Sequence, residues 1–75
     1  MAARLDLRGL RCPIPVIRLE ARMRNMASVE EILVTADDPL AKIDIPHACR
    51  EAGFRCEMGA NGADESFSFQ VIAPE

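Results

Sequence analysis

The pattern of apolar and polar residues predicts four strands. Residues 5–7 and 54–58 alternate between apolar and polar side chains, residues 30–36 are apolar and β-branched, and residues 66–71 alternate again. Successive side chains of a strand point to opposite faces, so each strand is expected to bury one face. The residues expected on these buried faces include Ile32, Val34, Phe54, Cys56, Met58, Phe67, Phe69 and Val71. An Asn-Gly pair within residues 60–63 predicts a hairpin turn before the last strand.

Two longer segments repeat their apolar residues with the period of a helix. The first covers Cys12 to about Ala27, with Pro13 at the first helical position and Pro15 still in the first turn, where a missing N–H is tolerated. Its predicted core stripe consists of Val16, Leu19, Met23 and Met26. The second covers residues 45–52, with Asp44 as N-cap and a glycine as C-terminal stop.

The predicted element order is β-α-β-α-β-β. Two helices can cover only one face of a four-stranded sheet. We therefore expect an α+β fold, a two-layer sandwich of a four-stranded mixed sheet with both helices on one face. At 75 residues the chain has room for one domain, residues 1–75, and its chemistry must lie near the surface.

The composition excludes several classes of protein. Hydrophobic residues make up 49% and charged residues 28%, which excludes a disordered chain. No apolar run is long enough to span a membrane, and the first residues lack the apolar core of a signal peptide. The sequence predicts a cytoplasmic protein without membrane association, expected to be a monomer, whose cysteines are reduced thiols.

Charge is distributed unevenly along the chain. Residues 1–27 carry six arginines and two acidic residues, whereas residues 28–75 carry three basic and ten acidic residues. This asymmetry predicts a basic face that docks an acidic partner, although arginines also simply solvate helices. The arginines have no aromatic residue among them on which bases could stack, so we expect no stable binding of nucleic acid.

Two of the three cysteines are predicted to be small core residues. Cys49 lies on the apolar stripe of the second helix, and Cys56 lies on the core side of a strand. A metal site formed by these two residues and His47 is disfavoured, because His47 points away from the core stripe and no further Cys or His pair completes a tetrahedral set. We expect no metal and no cofactor.

Cys12 is the candidate for chemistry. It follows a loop that contains Gly9 and directly precedes a helix, where unpaired N–H groups and the helix dipole favour an anion. Arg8 and Arg11 flank it and add positive potential. The sequence predicts a reactive thiolate at this position, and a plain N-cap thiol packed against the sheet remains the alternative.

Backbone donors and a neighbouring surface complete the predicted site. Pro13 and Pro15 have no N–H, so the N–H groups available to the sulfur are those of Ile14 and Val16. Away from the core stripe, Ile14, Ile17 and Ala21 form an apolar patch, which predicts a docking surface for a partner. The arginines beside this patch are Arg11, Arg18 and Arg22.

The chain resembles the TusA/SirA family of small sulfur-carrier proteins. The resemblance rests on residues 6–15, Asp-Leu-Arg-Gly-Leu-Arg-Cys-Pro-Ile-Pro, which contain the Cys-Pro-x-Pro motif of that family (Cys12, Pro13, Ile14 and Pro15). Ala36-Asp37-Asp38-Pro39 and Asp44-Ile45-Pro46 also resemble the family, and we assign their aspartates chiefly to capping. The resemblance covers nearly the whole chain.

This resemblance implies that Cys12 carries a persulfide and relays sulfane sulfur between proteins. The implied partners are a persulfide donor, a cysteine desulfurase or a rhodanese-like protein, and a sulfur-acceptor protein. Thiolation of transfer RNA, maturation of the molybdenum cofactor and sulfur oxidation are the pathways open to such a carrier. Two other functions remain open, a non-catalytic regulatory or protein-binding module that uses the basic helix face, and RNA binding through the arginines.

Overall fold

Helices and strands alternate along the chain in the order that the hydrophobic pattern predicts. The computed structural model describes residues 3–59 and 65–75. Its six elements are β1 (Ala3–Asp6), α1 (Ile14–Met23), β2 (Glu31–Ala36), α2 (Ala41–Ala52), β3 (Arg55–Met58) and β4 (Phe67–Ile72). The Asn-Gly turn predicted within residues 60–63 lies outside the described residues. Within the described ranges, no helix has the length and apolarity needed to cross a membrane.

The four strands form one mixed sheet in the order β1-β2-β4-β3. β1 and β2 are parallel, and β4 pairs with both β2 and β3 in antiparallel fashion. Parallel neighbours need a crossover connection, which α1 supplies. The α+β class and the mixed four-stranded sheet are therefore as predicted.

One face of the sheet forms the core. Ile32, Val34 and Ala36 alternate with half-buried residues on β2 and are fully buried. Their register partners on β4 are Val71, Phe69 and Phe67, which are buried as well. Side chains of both helices join the same cluster: Leu19, Met23, Ala41, Ile45 and Cys49. Both helices therefore cover this one face, which gives the two-layer arrangement.

The second helix begins earlier than predicted. α2 starts at Ala41, and Asp44 lies inside its first turn rather than at the N-cap. The reason is Asp38, whose carbonyl oxygen accepts the Ala41 N–H at 2.9 Å and whose carboxylate accepts the Leu40 N–H at 3.2 Å. Asp38 thus satisfies the first free N–H groups of the helix, and Asp44 is left free for other contacts.

The first helix is shorter than predicted. α1 begins at Ile14 with Pro13 at the N-cap, and it ends at Met23 instead of near Ala27. Its buried side chains are Pro15, Leu19 and Met23, whereas Val16 and Met26 of the predicted stripe are only half-buried. Met26 lies beyond the end of the helix, and the buried stripe runs along Pro15, Leu19 and Met23.

The third strand buries less than its alternation predicted. Phe54 and Cys56 are half-buried against the core, but 55% of Met58 is exposed. β3 is an edge strand that pairs only with β4, so Met58 has no strand on its outer side. The expected end of α2 is confirmed: Gly53 adopts the left-handed conformation at φ +78°, and the Phe54 N–H donates to the Cys49 carbonyl oxygen at 2.8 Å.

Candidate functional site

Cys12 lies where the two parallel strands end. The carboxyl ends of parallel neighbours lie at one edge of a sheet, so the segment after β1 and the segment after β2 are adjacent there. We call residues 7–13 the thiol loop and residues 37–40 the acidic loop. Leu7 anchors the thiol loop, because its side chain is buried and its N–H donates to the Thr35 carbonyl oxygen at 2.7 Å. Cys12 is exposed at the far end of this loop.

Two consecutive carboxylates of the acidic loop hold the backbone of the thiol loop. Asp37 accepts the Gly9 N–H at 3.0 Å, and Asp38 accepts the Cys12 N–H at 2.7 Å. Gly9 is at φ +82°, a conformation that favours glycine. Asp38 is only 5% exposed, and its second oxygen is the one that accepts the Leu40 N–H. The backbone position of Cys12 is therefore set by a buried carboxylate 26 residues further along the chain.

The thiol of Cys12 also faces a carboxylate. Its S–H donates to Asp44 Oδ2 at 3.4 Å. The hydrogen bond to Asp44, partial desolvation and the negative charges of Asp44 and Asp38 together raise the pKa of the Cys12 thiol above its ordinary value. These contacts favour the protonated thiol, whereas the sequence predicted that the thiolate is stabilised.

The flanking arginines are paired with other groups. Arg8 Nη2 lies 2.9 Å from Asp6 Oδ2, and this contact lowers the pKa of Asp6 to about 2. Arg11 Nη1 lies 3.3 Å from Asp37 Oδ1. Both guanidinium groups are thus paired with carboxylates, Arg8 with Asp6 at the end of β1 and Arg11 with Asp37 of the acidic loop, and their predicted role at the sulfur stays a prediction.

The predicted backbone donors also differ from expectation. The Ile14 N–H donates to the Arg11 carbonyl oxygen at 2.9 Å, so it closes a turn of the thiol loop instead of pointing at the sulfur. Val16 is half-buried and contributes its side chain to a depression beside Cys12. Pro13 is joined to Cys12 by a cis peptide bond, and Pro15 packs into the core.

The predicted docking surface is present only in part. Ile14 and Ile17 are 40% and 53% exposed, and Arg18 is exposed beside them. Arg22 is half-buried, and its Nη2 lies 2.8 Å from Glu30 Oε2. The other oxygen of Glu30 accepts the Ala27 N–H at 2.9 Å. Arg22 therefore stabilises the connection between α1 and β2, and a contact of Arg22 with a partner stays a prediction.

A groove between the two helices opens at Cys12 and was not predicted. This interhelical groove has a volume of about 340 Å³. It is lined by Cys12, Pro13, Val16, Glu20, Asp44, His47, Ala48 and Glu51. Its acidic residues come from both helices, and His47 Nε2 lies 3.6 Å from Glu51 Oε1. The sequence gives little indication of this groove, because the lining of the groove depends on which faces of α1 and α2 pack against each other.

The other two cysteines occupy a different place. Cys49 is fully buried, as predicted, and Cys56 is half-buried next to it. A hydrogen bond to Cys56 and burial raise the pKa of Cys49, so Cys49 remains a thiol. Across residues 3–59 and 65–75, no group of three or more His, Cys, Asp or Glu side chains is placed to hold a metal ion. The chemistry that this arrangement supports is that of one exposed sulfur beside a carboxylate that can accept its proton.

Comparison with known proteins identifies the family and agrees with the fold. Residues 3–72 match the family model described as "Sulfurtransferase TusA". The crystal structure of a SirA-like protein from Desulfitobacterium hafniense superposes with a TM-score of 0.85 over 97% of this chain and 99% of that one, at 20% sequence identity. The structural likeness supports the fold, and the family match covers nearly every residue of the chain. The chain therefore belongs to the TusA sulfurtransferase family.

Proposed function

We propose that this protein accepts sulfane sulfur as a persulfide on Cys12 and passes it to a partner protein. The observation that carries the proposal is the exposed Cys12 just before α1, in a chain of the TusA family. The loop that carries Cys12 is held by hydrogen bonds to the carboxylates of Asp37 and Asp38. A rigid backbone beneath an exposed sulfur suits a relay, because the reacting atom must enter the sites of two other proteins.

The proposed transfer moves one sulfur atom without a change in overall oxidation state. The Cys12 thiol loses its proton, and the thiolate attacks the outer sulfur of a donor persulfide. The donor S–S bond breaks, the donor cysteine leaves as a thiolate, and Cys12 now carries the persulfide. An acceptor thiolate then attacks the outer sulfur, and Cys12 leaves as a thiolate, as in thiol–disulfide exchange.

Asp44 supports both halves of this cycle as the nearest proton acceptor. Its Oδ2 lies 3.4 Å from the Cys12 sulfur, within reach of the proton that must leave before attack. We propose a persulfide-bearing cysteine desulfurase or rhodanese-like protein as donor and a thiol-bearing protein as acceptor. Thiolation of transfer RNA, molybdenum-cofactor maturation and sulfur oxidation all need such a relay.

Mass spectrometry of the intact protein tests the proposal. Incubation with a persulfide donor is expected to add the mass of one sulfur atom, and peptide mapping is expected to place that atom on Cys12. The variant Cys12→Ser is expected to gain no mass, whereas Cys56→Ser, the matched control at a second accessible thiol, is expected to gain it normally. An unchanged mass of the wild-type protein would contradict a sulfur carrier.

The same variants address the non-catalytic alternative. The exposed Ile14 and Ile17 beside Arg18 suit a binding surface whether or not sulfur is transferred. If the protein is only a binding module, a partner is expected to bind Cys12→Ser as tightly as it binds the wild type, and Arg18→Glu is expected to weaken this binding. Neither the wild-type protein nor Cys12→Ser is then expected to take up sulfur.

A further inference from the structure

We propose that the interhelical groove beside Cys12 binds a cationic segment of the partner protein, the segment that carries the partner's own cysteine. This inference rests on the proposed relay and specifies the chemistry of the partner at the point of transfer. It also differs from the picture in the sequence, where the arginines of the first third predicted an acidic partner.

The position of the groove supports a role in sulfur transfer. Cys12 is itself one of the lining residues, so anything seated in the groove lies against the reacting sulfur. Pro13, Val16 and Ala48 contribute apolar surface to the lining, and Ala48 is only 7% exposed. Apolar lining of this kind favours the aliphatic part of a side chain, including the stems of lysine and arginine.

The rim of the groove supplies the charge. Glu20 projects from α1, and Asp44 and Glu51 project from α2, so carboxylates stand on both sides. His47 is the basic lining residue, and it already lies 3.6 Å from Glu51. Even with His47 protonated, the lining carries more negative than positive charge.

No arginine is among the residues that line this groove. Arg11 pairs with Asp37, and Arg22 pairs with Glu30, both away from the groove lining. Arg24 borders an adjoining depression that also includes Glu20, so it offsets one carboxylate at most. Charge complementarity therefore selects a cationic occupant with aliphatic character rather than an anionic one.

A cation in this groove also activates the sulfur. The carboxylate of Asp44 keeps the proton on Cys12, and a lysine or arginine beside Asp44 competes for that carboxylate and offsets its charge. Docking of the partner then favours the thiolate at the moment when the donor persulfide is within reach. The resting protein, in contrast, keeps Cys12 protonated and less reactive toward other electrophiles.

A pair of synthetic peptides tests the proposal directly. Lys-Ile-Cys-Lys and Glu-Ile-Cys-Glu, each activated on its cysteine as a 2-thiopyridyl disulfide, are mixed with the wild-type protein, and thiopyridone release is followed by absorbance. Peptide mapping locates the mixed disulfide. In this step the Cys12 thiolate forms a disulfide with the peptide cysteine, and thiopyridone leaves with the electron pair, so no sulfane sulfur is involved.

We expect the cationic peptide to react with Cys12 faster than the anionic one by about tenfold or more at low salt, and we expect the ratio to fall as salt rises. Glu20→Gln and Glu51→Gln are each expected to lower the ratio several-fold. Glu57→Gln, the matched control, removes the same charge from β3 away from the groove and is expected to leave the ratio unchanged.

Equal rates for the two peptides, a preference for the anionic peptide, or a preference that survives both groove variants would overturn the proposal. Its failure is distinguishable from failure of the sulfur relay. A cationic preference in a protein that takes up no sulfur supports the groove and removes the relay, whereas sulfur uptake without charge preference removes the groove alone.

Discussion

Asp38 is the residue whose removal tests most directly how the thiol loop is held. It is nearly fully buried, and its two oxygens accept one N–H from each of the two loops, that of Cys12 at 2.7 Å and that of Leu40 at 3.2 Å. In Asp38→Ala both donors lose their acceptor, one in the thiol loop and one at Leu40 directly before α2. In Asp38→Asn one acceptor oxygen remains and the shape of the side chain is kept.

The expected loss in the free energy of unfolding follows from these two hydrogen bonds. A hydrogen bond to a charged group contributes about 1.5–3 kcal/mol. Because one carboxylate makes both bonds, their contributions are not fully additive, and we expect Asp38→Ala to lower the free energy of unfolding by roughly 2–5 kcal/mol. Asp38→Asn is expected to lose about half as much. Domains of this size have only about 0.05–0.15 kcal/mol of stability per residue, so the alanine variant loses a large part of the total.

Urea unfolding of wild type and variants measures this loss as a lower midpoint at an unchanged slope. Asp37→Asn is the matched control, because Asp37 also accepts an N–H of the thiol loop but is 30% exposed, and we expect it to cost less than about 1 kcal/mol. Amide hydrogen exchange adds a local readout, since the Cys12 N–H is expected to lose protection in Asp38→Ala. A loss of less than about 1 kcal/mol in Asp38→Ala, or equal losses for Asp37 and Asp38, would refute the reasoning.

Three further predictions concern single groups. Asp44→Asn is expected to lower the pKa of Cys12, because the carboxylate that accepts its proton is gone; the pH midpoint of iodoacetamide alkylation, mapped to Cys12, measures this, and an unchanged or higher midpoint contradicts it. Arg8→Ala is expected to return the pKa of Asp6 from about 2 toward its ordinary value, measured by NMR titration. Because the pKa of Asp6 is lowered in the folded state, its contribution to stability is present above the ordinary carboxyl range and disappears as the pH falls through about 2. Cys49→Ser is expected to lower the free energy of unfolding by about 1–3 kcal/mol, since it places a hydroxyl at a fully buried position; thermal unfolding measures this, and a neutral result would show that the site tolerates a polar atom.

The raised pKa of Cys12 changes how the site is understood. In the proposed relay, a raised pKa makes the sulfur less nucleophilic in the free protein, and docking of a cationic partner favours the thiolate. Asp44 supplies the resting state, and the charge of the interhelical groove supplies a means for a cationic partner to change it. The peptide and alkylation experiments test these two parts separately.

Much of the fold could be predicted because it depends on local patterns. Alternation in β2 and β4 identified the buried face of the sheet, and the helical period identified Leu19, Met23 and Cys49 as core residues. Burial of apolar side chains is the dominant favourable contribution to folding. An apolar period of two residues indicates the buried face of a strand, and a period of 3.6 residues indicates the buried face of a helix. Cys12 was recognisable in the same way, because a cysteine directly before a helix is exposed at its N-terminal end.

The second helix marks where local patterns stop being sufficient. Asp38 and Asp44 each precede apolar residues, and either is a plausible cap by sequence alone. In the fold, Asp38 accepts the Cys12 N–H and the Leu40 N–H directly before α2. The helix begins at Ala41, so Asp44 falls within its first turn and accepts the Cys12 S–H.

By itself the sequence determined the elements, the buried face and the position of the exposed cysteine, since each follows from residues close together along the chain. The tertiary structure alone decided the electrostatics of the site. Parallel pairing of β1 with β2 places carboxylates 26 and 32 residues away beside Cys12, and the neighbouring arginines pair with other acids. Hydrogen bonds and ion pairs act over a few ångströms, so the charge around a thiol depends on which residues the fold brings that close.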